Sequence, residues 1–248
     1  MDNIMKKIIH IFIVIFITAL IATTISLIIL KYNIEGENNM PFELSKIMVV
    51  SSAEGIEKEN NSDNKWNFNI NQNNDIYIEI KKNKNYKEKE IIDEIIIDNL
   101  NIIKSPKKGV NKTYRPTNKE GIIFEKNEDF EVKESIVYIG SEESNIKNLN
   151  IANQGGIVLF RSSIENIGDY ISDEDEVKHD GTILKKIAVE YEEIKYSIKF
   201  DISIKLKSEK IYTGTIELNL PAGDILTEGT SSYEKNNLKD IIFKRNLR

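Results

Sequence analysis

The chain has 248 residues, and its 40 acidic side chains outnumber its 34 lysines and arginines, which gives a formal net charge of -6 at pH 7. Both signs of charge are interspersed and no basic face is concentrated, so nucleic acid is not an expected partner. The absence of cysteine excludes disulfide bonds and the attachment of a lipid to a processed cysteine.

The first predicted element is a membrane-spanning helix over residues 8–30. This run is apolar on every side, and as a helix it would be about 34 Å long, enough to cross a hydrocarbon core of about 30 Å. A helix of a soluble core would carry a polar face, and a cleavable signal would have a shorter apolar region. We therefore expect a permanent signal anchor, preceded by a short tail at residues 1–7.

The charges beside this helix predict its orientation. Lys6 and Lys7 precede it, whereas Lys31 is followed by Glu35 and Glu37. Because an excess of lysine and arginine marks the cytoplasmic side, the amino terminus is expected inside the cell and the remainder outside. A cysteine-free composition rich in isoleucine, lysine and asparagine is typical of AT-rich bacterial genomes, which favours a bacterial cell envelope.

The outer region begins with a predicted polar linker at residues 31–43. Residues 44–248 are expected to form an extracytoplasmic β domain, with a candidate internal boundary in the highly polar run at 81–90. A strand begins at Leu44 and is expected to turn at Gly55. Residues 66–70 and 76–80 alternate between apolar and polar side chains, which predicts a hairpin around an Asn-rich turn at 71–75.

Short strands are predicted to recur through the middle of the chain. Residues 94–103 fit both a helical and a strand pattern, and their dense β-branched isoleucine favours the strand. The other interpretations are strands at 122–125, 130–139, 146–151 and 157–161, a helical turn within 164–171 and a short helix within 182–191.

The clearest soluble element is a strand over residues 194–206, where apolar and polar side chains alternate without exception. A helix would scatter these apolar residues around its axis. A partner strand at 212–220, a turn at 221–224 and a last strand at 241–244 follow. The chain is thus predicted to be mainly β: a transmembrane helix followed by an antiparallel, jelly-roll-like β-sandwich with few short helices.

The sequence offers no catalytic constellation. His179 is the only histidine outside the membrane segment, and no Gly-x-Ser-x-Gly nucleophile motif or zinc ligand set accompanies it. The surrounding acidic loop can supply hard oxygen ligands, which makes calcium a candidate cofactor, although the spacing is not that of an EF-hand. Clustered acids of this kind are also common on solvated surfaces. The candidate metal ligands are Asp173, Asp175, Glu176 and Asp180.

Arginine is scarce beside lysine, which draws attention to Arg115 and Arg161. A guanidinium group forms paired hydrogen bonds with a carboxylate, as lysine does not. The two residues are therefore candidates for contact with a ligand or for a structural role; a strand-end arginine reaching into water is the simpler interpretation of Arg161.

Several stretches carry a family resemblance: NQGGI at 153–157, Phe160-Arg161, LNLPAGDI at 218–225 and IIFKR at 241–245. They resemble uncharacterised single-pass membrane-anchored proteins of clostridia-type Gram-positive bacteria. The resemblance implies the single-pass topology and no catalytic residue.

Three functions are compatible with these patterns. The first is a membrane-anchored envelope module that binds an unidentified ligand, which includes the case of another envelope protein. The second is an envelope hydrolase that uses carboxylates, with or without calcium, and the third is a structural subunit whose anchor helix also drives oligomerisation.

Overall fold

The structure is a computed structural model that describes residues 2–58, 66–174, 176 and 183–246. It begins with one long helix, α1 (Asp2–Glu35), and the part from Ile4 to Glu35 is long and apolar enough to cross a membrane. None of the most apolar window of this helix is buried by the rest of the protein. Its length, its apolar composition and its lack of protein cover are the properties of a membrane-spanning helix, which the sequence predicts.

Within the described residues, eleven strands follow α1. In chain order they are β1 (Phe42–Glu57), β2 (Trp66–Lys82), β3 (Ile92–Lys104), β4 (Val110–Tyr114), β5 (Ile136–Ser141), β6 (Asn150–Ala152), β7 (Gly155–Ser172), β8 (Tyr196–Leu206), β9 (Ile211–Leu220), β10 (Thr230–Lys235) and β11 (Phe243–Arg245). The described part of the chain also contains the short helices α2 (Ile183–Lys186), α3 (Tyr191–Ile194) and α4 (Ile225–Glu228) and a 3-10 turn at Ile146–Asn148.

The strands form two sheets that pack face to face as a β-sandwich. Sheet A has the order β10-β1-β2-β7-β4 and sheet B the order β11-β9-β8-β3-β5-β6. All neighbouring strands are antiparallel except β5 and β6, which are parallel. The predicted fold class, a mainly β sandwich behind an apolar helix, is therefore confirmed.

The core between the sheets follows the alternation read from the sequence. Phe200 on β8 is fully buried and meets Phe160 on β7 edge to face, with 5.1 Å between the ring centroids. The other apolar residues of β8 are buried as well, and their polar neighbours are half-buried or exposed except for Ser203, which is buried and hydrogen-bonded to Thr213. The predicted strands at 94–103 and 212–220 are confirmed as β3 and β9, and a short helix, α2, lies within 182–191. The strand predicted at 194–206 is confirmed as β8 from Tyr196 onwards, because Ile194 belongs to α3.

Two predicted turns in sheet A are wrong. β1 continues through Gly55 to Glu57, and β2 runs unbroken through residues 71–75, where the hairpin turn was expected. The polar side chains of this stretch are buried rather than solvated, because neighbouring strands supply their hydrogen-bond partners. Asn74, for example, accepts a hydrogen bond from Ser51 and donates to Tyr196 of the opposite sheet.

The predicted helical turn within 164–171 is also wrong, because these residues continue the long strand β7. The pairing of β2 with β7 shifts between Ile70 and Gln72, where residues 165–167 form a bulge in β7. Asn166 at the centre of the bulge has a φ of 59°, and its backbone N–H donates to the side chain of Asn71. A bulge of this kind redirects side chains near the strand.

The remaining differences lie between β4 and β7 and near the carboxyl end. No strand forms at 122–125, and of the predicted strand at 130–139 only the part within β5 and one bridge at Glu131 are extended and paired. Residues 146–151 form the 3-10 turn and then β6. The last strand, β11, is shorter than predicted and β10 was not predicted, since its sequence is polar and its side chains are largely exposed.

The end of α1 is attached directly to sheet B. The backbone N–H of Glu37 donates to the carbonyl of Phe243 at 2.7 Å, and the N–H of Arg245 donates to the hydroxyl of Tyr32 at 2.8 Å. Gly36 has a φ of 73°, and a side chain there would collide with the Phe243 carbonyl. Only six residues, 36–41, separate α1 from β1, so the helix and the sandwich meet at a hydrogen-bonded junction.

Candidate ligand-binding cleft

A polar cleft is formed where residues 115–135, here called the cover segment, lie over the outer face of sheet A. The cover segment is attached along the edge strand β4: Arg115 donates its backbone N–H to Phe130, and Val132 donates to Thr113. It also encloses a small apolar cluster that is separate from the main core. The buried members of this cluster are Tyr114, Phe124, Phe130 and Leu159.

The two arginines singled out from the sequence both lie at the contact between the cover segment and the sheet. Arg161 on β7 donates two hydrogen bonds to the carboxylate of Asp75 on β2, at 2.6 and 2.9 Å, and its guanidinium lies 4.6 Å from the ring centroid of Phe124. Arg115 stacks over Phe130 and donates to the carbonyl of Asp129. Both guanidinium groups therefore hold phenylalanines of the cover segment in place.

Lys126 of the cover segment reaches down to the sheet and forms an ion pair there. Its ammonium group donates to Glu54 at 2.5 Å, and only 12% of the Lys126 side chain is exposed. Asn73 donates a second hydrogen bond to the same carboxylate at 2.9 Å. Burial alone would raise the pKa of Glu54, but the hydrogen bonds from Lys126 and Asn73 outweigh burial and hold this pKa below its usual value.

On the other side of the cleft, the bulge in β7 places Glu165 beside Tyr114 and Lys112. The Tyr114 hydroxyl donates to Glu165 at 2.6 Å, and the Lys112 ammonium lies 3.6 Å from the same carboxylate. Burial, reinforced by Glu165, raises the pKa of Tyr114 well above its ordinary value. Glu165, with Glu131 on the cover segment, raises the pKa of Lys112. The phenol and the ammonium are therefore fixed donors near neutral pH.

The floor of the cleft comes from the polar stretch of β2. Asn71 lines the cleft, and Asn73 accepts a hydrogen bond from Ser163 while it donates to Glu54. The alternate residues, Gln72 and Asn74, point into the core. One strand thus supplies amides to the cleft on one face and to a buried network on the other, as the two-residue period requires.

The cleft has a volume of about 240 Å³. Its lining mixes two ammonium groups, two carboxylates, three amides, a phenol and one isoleucine. It is lined by Ile56, Asn69, Asn71, Lys112, Tyr114, Lys126, Asn127, Glu128 and Glu165. Such a lining offers donors and acceptors of both charge signs, which suits a polar ligand such as a carbohydrate or a peptide better than an apolar one.

The predicted calcium loop falls only partly within the described residues. Asp173 and Glu176 are described and exposed, whereas Asp175 and Asp180 lie outside the described ranges, as does His179. Within those ranges, no group of three or more His, Asp or Glu side chains is placed to hold a metal ion. The calcium site therefore stays a prediction.

A pair of carboxylates lies on the outer face of sheet B. Asp98 on β3 is the register partner of Asp201 on β8. Burial and the charge of Asp201 raise the pKa of Asp98, while Asp201 accepts hydrogen bonds from Thr215 and Asn99. Like charges in directly opposed positions of a sheet repel each other.

Comparisons with protein-family models, with curated proteins and with solved structures find no match to this chain.

The cleft itself was missed by sequence reasoning, although a signal was present. Phe68, Ile70, Ile76 and Ile78 all have even numbers, so the apolar alternation keeps the same phase across the polar residues between them. A tight turn does not require the apolar residues on its two sides to share the same even-numbered spacing, whereas a continuous strand does. The phase therefore identifies the polar stretch as part of one strand.

Proposed function

We propose that the protein is a membrane-anchored binding module of a bacterial cell envelope, with its β-sandwich outside the cytoplasm and the cleft beneath the cover segment as its binding surface. The observation that carries this proposal is the arrangement of the cleft side chains. Lys126, Tyr114 and Lys112 are each held by a carboxylate of the sheet before any ligand arrives. Side chains held in this way lose little conformational entropy on binding, which favours recognition of a polar ligand.

A hydrolase that uses carboxylates is supported less well. Such an enzyme needs a general acid, a carboxyl group whose pKa is raised. Glu54 below the cleft has a lowered pKa, and Asp98, a carboxyl group whose pKa is raised, lies on the outer face of the other sheet. Glu54 and Glu165 instead hold the ammonium groups of Lys126 and Lys112 and the hydroxyl of Tyr114 in place.

The proposal is tested by site-specific photocrosslinking in membranes of the cells that make the protein. A photoreactive amino acid replaces Glu128, which is exposed and lines the cleft. A matched control carries it at Lys199, an exposed position on the outer face of sheet B. We expect a distinct adduct from the cleft position that is absent from the control position.

Lys112→Gln then tests whether the cleft chemistry is responsible. Loss of this cation should reduce the yield of the adduct about fivefold, the equivalent of roughly 1 kcal/mol. Lys199→Gln, combined with the cleft label, should leave the yield unchanged. Equal labelling from both positions, or an adduct indifferent to Lys112→Gln, would contradict the assignment of the cleft as the binding surface.

A further inference from the structure

One end of the sandwich lies at the level where α1 leaves the membrane. Tyr32, whose hydroxyl accepts the hydrogen bond from Arg245, is two residues beyond Leu30, the last residue of the apolar run. Two residues of helix add about 3 Å, which is less than the depth of the lipid headgroup region. When α1 spans a membrane, β11 therefore lies beside the headgroups.

Two further segments meet at this end. The connection between β2 and β3 is fixed next to the start of β1, because Asn83 donates its backbone N–H to Pro41 and its side-chain amide to Met40. The turn between β8 and β9 joins it through Lys207, whose N–H donates to the carbonyl of Ile91. We define the membrane-proximal face as residues 81–93, 207–210 and 244–245.

This face is basic, although the protein as a whole is acidic. Its three segments contain nine lysines and arginines against four acidic residues, while the complete chain has a net charge of -6. Glu90 is paired with Lys210, and Asp93 with Lys207. The cations with no ion pair among the described residues include three exposed lysines of the connection between β2 and β3: Lys84, Lys87 and Lys89.

We infer that the membrane-proximal face binds the anionic phospholipid headgroups of the membrane that holds α1. A cluster of lysines at the membrane surface is attracted to anionic lipids, and the junction between α1 and β11 keeps this cluster within a Debye length of them. The inference rests on α1 spanning the membrane and is independent of the cleft. The face is assembled from segments far apart in sequence, so the residues flanking α1 give no sign of it.

Binding of this kind would hold the sandwich upright with its cleft away from the lipid. Asn71 in the cleft precedes Lys82 at the membrane-proximal end of β2 by eleven residues, and a strand of that length spans roughly 35 Å. The lipid contact would therefore fix the direction in which the cleft is presented.

The test uses the full chain in nanodiscs that contain a lipid with a nitroxide on its headgroup as a quencher. Since the chain has no cysteine, Asn85→Cys places a single fluorophore between the exposed lysines. Ser105→Cys places one on the exposed connection after β3, at the opposite end of the sandwich. Each is measured in phosphatidylcholine alone and with phosphatidylglycerol added.

At Asn85→Cys we expect quenching to rise about twofold with phosphatidylglycerol and to fall back in high salt, while Ser105→Cys stays weakly quenched. Reversal of Lys84, Lys87 and Lys89 to glutamate should abolish the increase. The matched control reverses Lys104, Lys107 and Lys185, exposed lysines at the opposite end, and should retain it. A thermal melt of each variant checks the fold.

The inference would be overturned if quenching at Asn85→Cys were the same in both lipids, or if the increase survived reversal of the three membrane-proximal lysines. Either result would mean that the junction with α1 alone sets the distance to the membrane. Photocrosslinking from the cleft would be unaffected by that outcome, so the two proposals fail separately.

Discussion

The hairpin of β8 and β9 and the strand β2 are both long strands with regular alternation, yet they use their inward positions differently. In β8 the inward residues are aromatic or aliphatic from Tyr196 to Leu206. In β2 the inward series changes from Ile70 to Gln72 and Asn74 and then back to isoleucine. The two-residue alternation of side chains therefore continues along a whole strand, whether the inward residues are apolar or polar. Polar residues can occupy inward positions when neighbouring strands supply their hydrogen-bond partners.

The network around Asn74 explains how those polar residues are accommodated. The Asn74 amide donates to the Tyr196 hydroxyl at 2.8 Å and to the carbonyl of Ser162 at 3.1 Å, and its oxygen accepts from Ser51 at 2.6 Å. Ser162 also bonds the Tyr196 hydroxyl, which links sheet A to sheet B. Burial of these amide and hydroxyl groups without hydrogen-bond partners would destabilise the folded state.

The largest effect is expected in β8, where the core is apolar. Phe200→Asp would bury an uncompensated charge against Phe160, and we expect a loss of more than about 4 kcal/mol in the free energy of unfolding, enough to prevent folding. Circular dichroism and thermal unfolding measure this. Lys199→Asp, at the adjacent exposed position, is the control and should fold. A Phe200→Asp protein that melts cooperatively would show that Phe200 does not lie on the inward face of β8.

In β2 the expected effect is smaller but more informative. Asn74→Ala removes hydrogen bonds to Ser51, Ser162 and Tyr196, and we expect a cost of about 2–3 kcal/mol in the free energy of unfolding. Asn219→Ala on β9, which removes one exposed hydrogen bond to Ser197, should cost less than about 0.5 kcal/mol. Equal, small effects from both substitutions are what a solvated turn at Asn74 would give.

The substitution Arg161→Lys tests the contact between the cover segment and sheet A. Lysine keeps the charge but loses the paired hydrogen bonds to Asp75 and the stacking over Phe124, so we expect a loss of about 1–2 kcal/mol. Hydrogen exchange should speed up within residues 115–135 while the protection of β8 is unchanged. Arg245→Lys, at an exposed arginine, is the control. Unchanged hydrogen exchange across the cover segment would show that Arg161 does not hold this segment against sheet A.

The smallest effect is expected on the outer face of sheet B. Because the pKa of Asp98 is raised in the folded state, the folded protein is penalised once the pH rises above the unfolded pKa of this carboxyl group. Asp98→Asn should therefore stabilise the protein at pH 7 by about 0.5 kcal/mol, a gain that disappears at a pH low enough to protonate the carboxyl group. Denaturant unfolding at the two pH values measures the gain. A stabilisation that is equal at both would show that the charge of Asp201 is not its cause.

Much of the fold could be predicted from segments whose apolar residues follow a strict pattern, either a continuous run or a two-residue alternation. The apolar run at 8–30 predicts a spanning helix because no other environment satisfies it, and β8 and β9 follow from their alternation. What could not be predicted depends on partners distant in sequence. The pairing of Arg161 with Asp75, or of Lys126 with Glu54, joins residues that nothing local relates, and the bulge at Asn166 is favourable only because Asn71 accepts its N–H.

The cleft was less predictable than the fold for the same reason. Arg115 and Arg161 were noticed for their rarity, and the structure places both where the cover segment meets the sheet. The residues that line the cleft, such as Lys112 and Glu165, are ordinary surface types in the sequence. Only the bulge in β7 and the course of the cover segment bring them together.

The order of strands in sheet A also affects how fast the protein folds. β1 pairs with β2, its neighbour in sequence, and also with β10, where Ile47 lies opposite Lys235. β2 pairs with β7, which is separated from it by roughly ninety residues of chain. Pairings between such distant segments are entropically costly to nucleate, and domains dominated by them fold in milliseconds to seconds. The isoleucine-rich strands therefore stay exposed for that time, a period in which a chaperone that shields apolar segments would raise the yield of folded protein.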